Sequence, residues 1–248
     1  MNYVEYGKEN KDIIILLHGG GLSWWNYREV AEKLSDEYRV ILPVLDGHAS
    51  STSDFTTIEA NAARIIKFIR EQLGGSVLMM GGLSLGGQVL LEILSQQNDI
   101  CQYALIESAL VVPSKMTYAM IKPTFGSCYG LIHKRWFAKL QFKYLRIKET
   151  LFDEYYRDTC SISKTNMISF LQANSMYRLK ESLEKCSTKT YIFVGSKENI
   201  SVRKSAELIH EKMRESVLQV LPGMYHGEFS INHSEDYTEK IRSIIGGK

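Results

Sequence analysis

Val77-Leu78-Met79-Met80-Gly81-Gly82-Leu83-Ser84-Leu85-Gly86-Gly87-Gln88-Val89-Leu90-Leu91-Glu92-Ile93-Leu94 is the longest apolar stretch of the sequence, and its reading decides the fold. It has nearly the length of a membrane span. Gly81, Gly82, Ser84, Gly86, Gly87, Gln88 and Glu92 break it up, so a strand, a tight turn and a helix account for it better. At the turn, Gly82-Leu83-Ser84-Leu85-Gly86 matches G-x-S-x-G, which exposes a serine at a strained strand-to-helix corner. Glycines two residues either side let the backbones pack closely. The following helix also points its N-terminus at the serine, favouring negative charge that develops there. The pentapeptide alone is a weak signal. The apolar run Val77 to Met80 before it and the helical run Leu85 to Leu94 after it supply the context it needs.

Working outward, short apolar or β-branched runs recur at Ile13 to Leu17, Val40 to Val44, Tyr103 to Ile106, Tyr191 to Val194 and Val217 to Leu221. Several are apolar throughout, which predicts strands covered on both faces, as in a mostly parallel sheet. Longer amphipathic stretches lie between them. The clearest helix is predicted from about Ile58 to Leu73, with Thr56 and Glu59 as a capping box and Gly74 as the stop. Ala62, Ile65, Ile66, Ile69 and Leu73 form its apolar face. Tyr27 to Leu34, Leu85 to Ser95, Val202 to Met213 and Glu235 to Ile245 are further helical segments. This alternation predicts an α/β fold: a wound, mostly parallel sheet flanked by helices, in one domain spanning residues 1–248. Between residues 109 and 186 the rhythm gives way to aromatic and basic residues at helical spacing, read as a helical cap or lid inserted into that domain.

Composition excludes several classes. With 248 residues, 44% hydrophobic and 23% charged, the chain has ordinary globular values. A formal charge of +2 gives no global basic field for nucleic acid. No zinc or redox spacing joins Cys101, Cys128, Cys160 and Cys186, and reduced thiols are expected. H-E-x-x-H, G-x-x-x-x-G-K-[ST] and G-x-G-x-x-G are all missing, so no metal or nucleotide cofactor is expected. The N-terminal residues Met1 to Asp12 are polar, without the shape of a signal peptide. A cytoplasmic location without stable membrane insertion is the expectation, and the sequence leaves oligomeric state open.

His18-Gly19-Gly20-Gly21 follows the run Ile13 to Leu17. A glycine-rich loop there can bring a backbone N–H to a substrate oxygen without side-chain obstruction. Gly20 and Leu85, the residue after the serine, are the expected oxyanion donors, with Gly21 in reserve. His18 is expected to brace the loop. Trp24 and Trp25, just beyond, suit either an acyl pocket or the core.

With both glycine loops in view, the sequence resembles the α/β-hydrolase superfamily of serine esterases, lipases and related enzymes, over nearly its whole length. Asp46-Gly47-His48-Ala49-Ser50 is similar to the family's G-H-G-x-S turn, with Ala49 in place of the second glycine and Val44 where an aspartate often follows the proline. The resemblance implies the chain order serine, acid, histidine. Tyr191-Ile192-Phe193-Val194-Gly195-Ser196-Lys197-Glu198 looks like the strand and loop of the acid, with glutamate in place of the commoner aspartate. Glu107 is its rival, because some relatives carry the acid after that strand. Leu221-Pro222-Gly223-Met224-Tyr225-His226-Gly227 looks like the histidine loop, and an imidazole can take and return a serine proton near neutral pH. The implied triad is Ser84, Glu198 and His226. The implied activity is hydrolysis of a small or medium carboxylic ester through an acyl-enzyme, without a cofactor. The same triad would serve a thioesterase or a carbon–carbon bond hydrolase, and a ligand-binding protein with a vestigial site is the alternative of another class.

One segment stands apart. Lys134, Arg135, Lys139, Lys143, Arg146 and Lys148 interleave with Trp136, Leu140, Tyr144 and Ile147 at helical spacing. The favoured reading packs the apolar side inward over Ser84, where it sets acyl-chain preference. A membrane-surface helix, or a grip for an anionic acyl carrier, is the other reading.

Overall fold

In the computed structural model, which describes residues 1–247, strands and helices alternate over most of the chain. The first half runs β1 (Tyr3–Tyr6), β2 (Ile13–Leu17), α1 (Arg28–Leu34), β3 (Arg39–Pro43), α2 (Ile58–Gln72), β4 (Val77–Leu83), α3 (Leu85–Gln96) and β5 (Cys101–Glu107). Four helices follow without a strand among them: α4 (Lys115–Cys128), α5 (Arg135–Leu145), α6 (Phe152–Ser161) and α7 (Lys164–Met176). The chain then returns to the sheet with β6 (Lys189–Gly195), α8 (Ile200–Lys212), β7 (Ser216–Leu221), α9 (Glu228–Asn232) and α10 (Ser234–Ile245).

The seven strands lie in the order β1-β3-β2-β4-β5-β6-β7. All neighbouring pairs are parallel except β1 with β3, where Tyr3 faces Pro43 and Tyr6 faces Val40. Successive strand residues point to opposite faces, and here both faces are covered. Ile15, Leu17, Ile41 and Met80 join the core shared with α2, α3 and α8, while Ile14, Leu16, Leu42 and Met79 join the core shared with α1 and α10. That two-sided burial is why β2 and β4 read as unbroken apolar runs. α3 is buried nearly all round, as its apolar sequence requires.

Two local readings shift. The α2 cap is Thr57, whose extended backbone precedes the first turn and whose hydroxyl accepts from Ala60 N at 3.0 Å. The expected Thr56–Glu59 box is therefore one residue out, and Glu59 instead pairs with Lys180 across to the insertion. The predicted stop is right: Gly74 and Gly75 both take positive φ, and Gly75 N closes on Ile69 O at 3.1 Å.

The larger correction concerns α5. Its buried side chains are Ala138 and Phe142, with Phe142 against Phe152 and Tyr155 of α6. Trp136, Leu140 and Tyr144 face water, and of the four expected inward residues only Ile147, just beyond the helix, is buried. Two apolar rows share this helix, and spacing alone does not say which one packs. Small Ala138 allows the close approach to the protein that the bulkier row would prevent.

Candidate active site

Ligand sites in wound sheets lie beyond the carboxyl ends of strands, where the strand order reverses. Here that point is between β2 and β4, which carry the two glycine loops. Ser84 caps α3 with φ 54 and ψ −111, a left-handed conformation forced on a non-glycine residue. The residues two positions to either side must be glycines. A Cβ on Gly82 would lie 2.4 Å from Gly86 O, and one on Gly86 would lie 2.1 Å from Leu17 O. Ser84 N donates to Glu107 O at 2.8 Å, tying the corner to β5.

The loops after β6 and β7 are laced together. Ser196 N donates to Leu221 O at 2.9 Å, Lys197 N to Met224 O at 3.0 Å, and Gly223 N to Ser196 Oγ at 2.8 Å. A Cβ on Gly195 would lie 2.2 Å from Met224 O, so only glycine permits this approach. The result brings three distant side chains into line. His226 Nε2 lies 3.0 Å from Ser84 Oγ, and His226 Nδ1 lies 2.7 Å from Glu198 Oε2. With Nδ1 protonated and bonded to the carboxylate, Nε2 is left to accept the Ser84 proton.

Glu198 is buried, and its other oxygen accepts from Ser108 Oγ and from Gly195 N, each at 2.8 Å. Burial alone would push its carboxyl up. The His226 ring and these two donors outweigh that and hold it below the usual carboxylate range. Glu107 meets a different fate. Its Oε1 takes one long bond from Ser230 N at 3.3 Å, and Oε2 has no partner. Burial pushes its pKa up to about 7, against the pull of Ser230. Of the two carboxylates weighed in the sequence, Glu198 is the one bonded to His226.

Gly20 and Leu85 flank the serine: a Cβ on Gly20 would meet Leu85 Cβ at 3.5 Å and Phe170 of α7 at 3.3 Å. As the first residue of α3, Leu85 has an N–H without an intrahelical acceptor. Gly21 has φ 76 and turns the chain away. His18 is fully buried; its Nδ1–H donates to Gly19 O at 2.9 Å, and its Nε2 accepts from Leu45 N at 3.0 Å. Burial, with His48 beside it, drives its pKa down to about 3, so it stays neutral and braces the loop. Trp25 fills the core and donates to Asp158 Oδ2 of α6 at 2.8 Å. In the turn after β3, Gly47 has φ 73 and Ala49 has φ 36, so the missing glycine falls on a backbone position that favours one.

Ser84 and His226 open onto a cavity of about 100 Å³, walled by Leu22, Leu83, Leu145, Ile147 and Ile231. Leu145 and Ile147 bring the insertion to its rim. Two features escaped the sequence reading. Ser108 has φ 58 at the carboxyl end of β5, a position where functional side chains of such sheets gather, and that was its one available signal. Phe170 against Gly20 carried no signal at all. Elsewhere among the described residues, no group of three or more His, Cys, Asp or Glu converges as a metal site.

Comparison with known proteins places this geometry in context. Residues 8–230 match the family model described as serine aminopeptidase, S33. No curated protein sequence matches the chain. Among solved structures, an esterase from Exiguobacterium antarcticum is similar with TM-score 0.81 and 21% identity, over 99% of this chain and 94% of that one. A bromoperoxidase from Bacillus anthracis gives TM-score 0.82 at 18% identity, over 99% and 95%. MenH from S. aureus gives 0.79 at 17%, over 99% and 97%. At such identities the likeness is one of fold.

Proposed function

The chain belongs to the serine aminopeptidase S33 family of α/β-hydrolases, and from that premise we propose that it hydrolyses small carboxylic esters through a Ser84 acyl-enzyme. The observation that carries the reading is the unbroken chain of contacts from Ser84 Oγ through the His226 ring to Glu198, at 3.0 and 2.7 Å.

The steps follow from that chain. His226 Nε2 takes the Ser84 proton as Oγ attacks the ester carbonyl. The carbonyl oxygen becomes negative between the N–H groups of Gly20 and Leu85, at the positive end of α3. Glu198, ionised and held by Gly195 and Ser108, keeps the imidazole in the tautomer with Nδ1–H and stabilises its cation. The tetrahedral intermediate collapses, and the proton passes from Nε2 to the leaving alcohol. Water then repeats the sequence on the acyl-enzyme and frees the acid.

Two features favour an ester over a peptide N-terminus. An aminopeptidase must neutralise its substrate's ammonium, yet the residues bordering the Ser84 cavity include no carboxylate. Glu198 is already bonded to His226. The cavity's apolar wall and about 100 Å³ volume suit a short acyl chain. The test is a panel of aryl esters and acyl thioesters of graded chain length, with an aminoacyl anilide alongside. The reading expects turnover to be fastest on short aryl esters. Anilide or thioester turnover exceeding that of every ester would replace it.

A further inference from the structure

Three rows of side chains run side by side along α5. Ala138 and Phe142 are buried. Successive residues of a helix lie about 100° apart, so Arg135, Lys139 and Lys143 make a second row and Trp136, Leu140 and Tyr144 a third. The third row stands in water, with Trp136 64% exposed, Leu140 62% and Tyr144 87%. Isolated apolar residues on a surface are ordinary, but two aromatic rings and a leucine aligned over two turns form a patch that calls for a partner.

The charge around this row says which partner. From Ser108 to Lys148 the sequence has eight Lys and Arg and no Asp or Glu, although the whole chain carries only +2. Arg135 pairs with Asp153 and Lys148 with Glu29. Among the described residues Lys139 and Lys143 have no carboxylate partner, and Arg146 lies over the Tyr225 ring at 3.7 Å. Arg135, Lys139, Lys143 and Arg146 also line a cleft of about 760 Å³ beside the row, where they outnumber its two carboxylates, Glu149 and Asp153.

We propose that α5 docks the protein on the surface of a bilayer containing anionic phospholipid. Trp136, Leu140 and Tyr144 enter the interfacial layer, where aromatic rings with a polar tip are at home. Lys139 and Lys143 keep their ammonium groups among the headgroup phosphates while their stems lie along the apolar row. The whole arrangement is that of an interfacial amphipathic helix rather than a spanning one. Among the described residues no helix is long and apolar enough to cross a membrane. Leu145, at the end of α5, borders the Ser84 cavity, so docking brings the cavity rim to the lipid surface. The proposal stands on the surface alone and does not depend on what Ser84 does.

Co-sedimentation of the full chain with phosphatidylcholine vesicles, with and without phosphatidylglycerol, tests it. Binding is expected to the anionic vesicles only, weakening as salt rises. Each cationic residue near such a surface contributes about fivefold in affinity, so Lys139→Gln with Lys143→Gln should weaken binding about 25-fold. Trp136→Ala should weaken it further, and the Trp136 fluorescence should shift to the blue on binding. These side chains are exposed, so melting temperature and soluble-ester turnover of the variants should match the parent protein. Loss of those two properties would mark a failure of folding or of the ester reading, while sedimentation reads docking by itself. The proposal is overturned if anionic vesicles fail to retain the protein at low salt. It is equally overturned if the variants bind as well as the parent, or if an acidic acyl carrier protein is bound through Lys139 and Lys143 while vesicles are not.

Discussion

Ser108 donates its hydroxyl to Glu198 Oε1 at 2.8 Å and accepts from Gly227 N at 3.3 Å, fastening the acid to the backbone next to His226. It does so from a left-handed backbone position, φ 58, that costs a serine conformational energy. Glycine adopts that φ freely. Ser108→Gly should therefore keep or raise the melting temperature while removing the bond that orients Glu198. We expect kcat on an aryl ester to fall about tenfold, the loss of one charge-assisted hydrogen bond, with KM little changed. Unchanged kcat in the glycine variant would mean that Glu198 needs no such support.

Glu107 and Glu198 should respond oppositely to the same substitution. Glu198→Gln removes the anion that holds Nδ1–H and should lower kcat by about 10³–10⁴-fold. Glu107 has a folded pKa of about 7, above the ordinary 4.5, because burial opposes its charge. The stability it contributes is complete below the ordinary value and is lost as pH rises through about 7. Glu107→Gln cannot ionise. Its amide also lies near the buried hydroxyls of Tyr27 and Tyr237, with which it can exchange hydrogen bonds. We expect it to gain about 1–3 kcal/mol at pH 8, little at pH 5, and to keep most of its activity. Urea unfolding at both pH values, with kinetics, checks this. A larger kcat loss in Glu107→Gln than in Glu198→Gln would reverse the assignment.

Gly195 sets how closely the acid and histidine loops approach. Gly195→Ala puts a Cβ 2.2 Å from Met224 O, and backbone must move to relieve it. A loss of about 2–4 kcal/mol in stability should accompany a fall in kcat, since the displaced loops carry Glu198 and His226. Retained kcat with retained stability would show that the loops separate without cost.

Much of this was legible in the sequence because it is local. The strands β2, β4, β5 and β6 announce themselves through apolar runs, and the Ser84 corner through glycines whose absent side chains the packing demands. His18 is fixed instead by its hydrogen bonds to Gly19 O and Leu45 N. β1 was missed because it is a half-exposed edge strand of mixed polarity, with no face to bury completely. Glu198 was a choice between two carboxylates, and only the meeting of loops far apart in the chain shows which of them is bonded to His226. The orientation of α5 was misread for the same reason. Its two apolar rows are equivalent until α6 supplies Phe152 and Tyr155 as partners for Phe142.

That reversal moves the expected control of acyl-chain length. Leu145 and Ile147, not Trp136 and Tyr144, border the Ser84 cavity. Leu145→Ala and Ile147→Ala should raise the kcat/KM ratio of hexanoyl over acetyl esters about tenfold, the order of discrimination a methylene or two provides. Trp136→Ala and Tyr144→Ala should leave the ratio unchanged. A shift in the second pair alone would mean that α5 turns its outer row inward when substrate binds.

The central claim is that Ser84 is a nucleophile activated by His226, and covalent labelling tests it most directly. The protein is treated with a fluorophosphonate probe and the modified peptide identified by mass spectrometry, with Ser84→Ala and His226→Ala in parallel. We expect a single adduct on Ser84, no adduct in Ser84→Ala, and labelling slowed by several orders of magnitude in His226→Ala. An adduct on another residue, or ester turnover that survives in Ser84→Ala, would contradict the account.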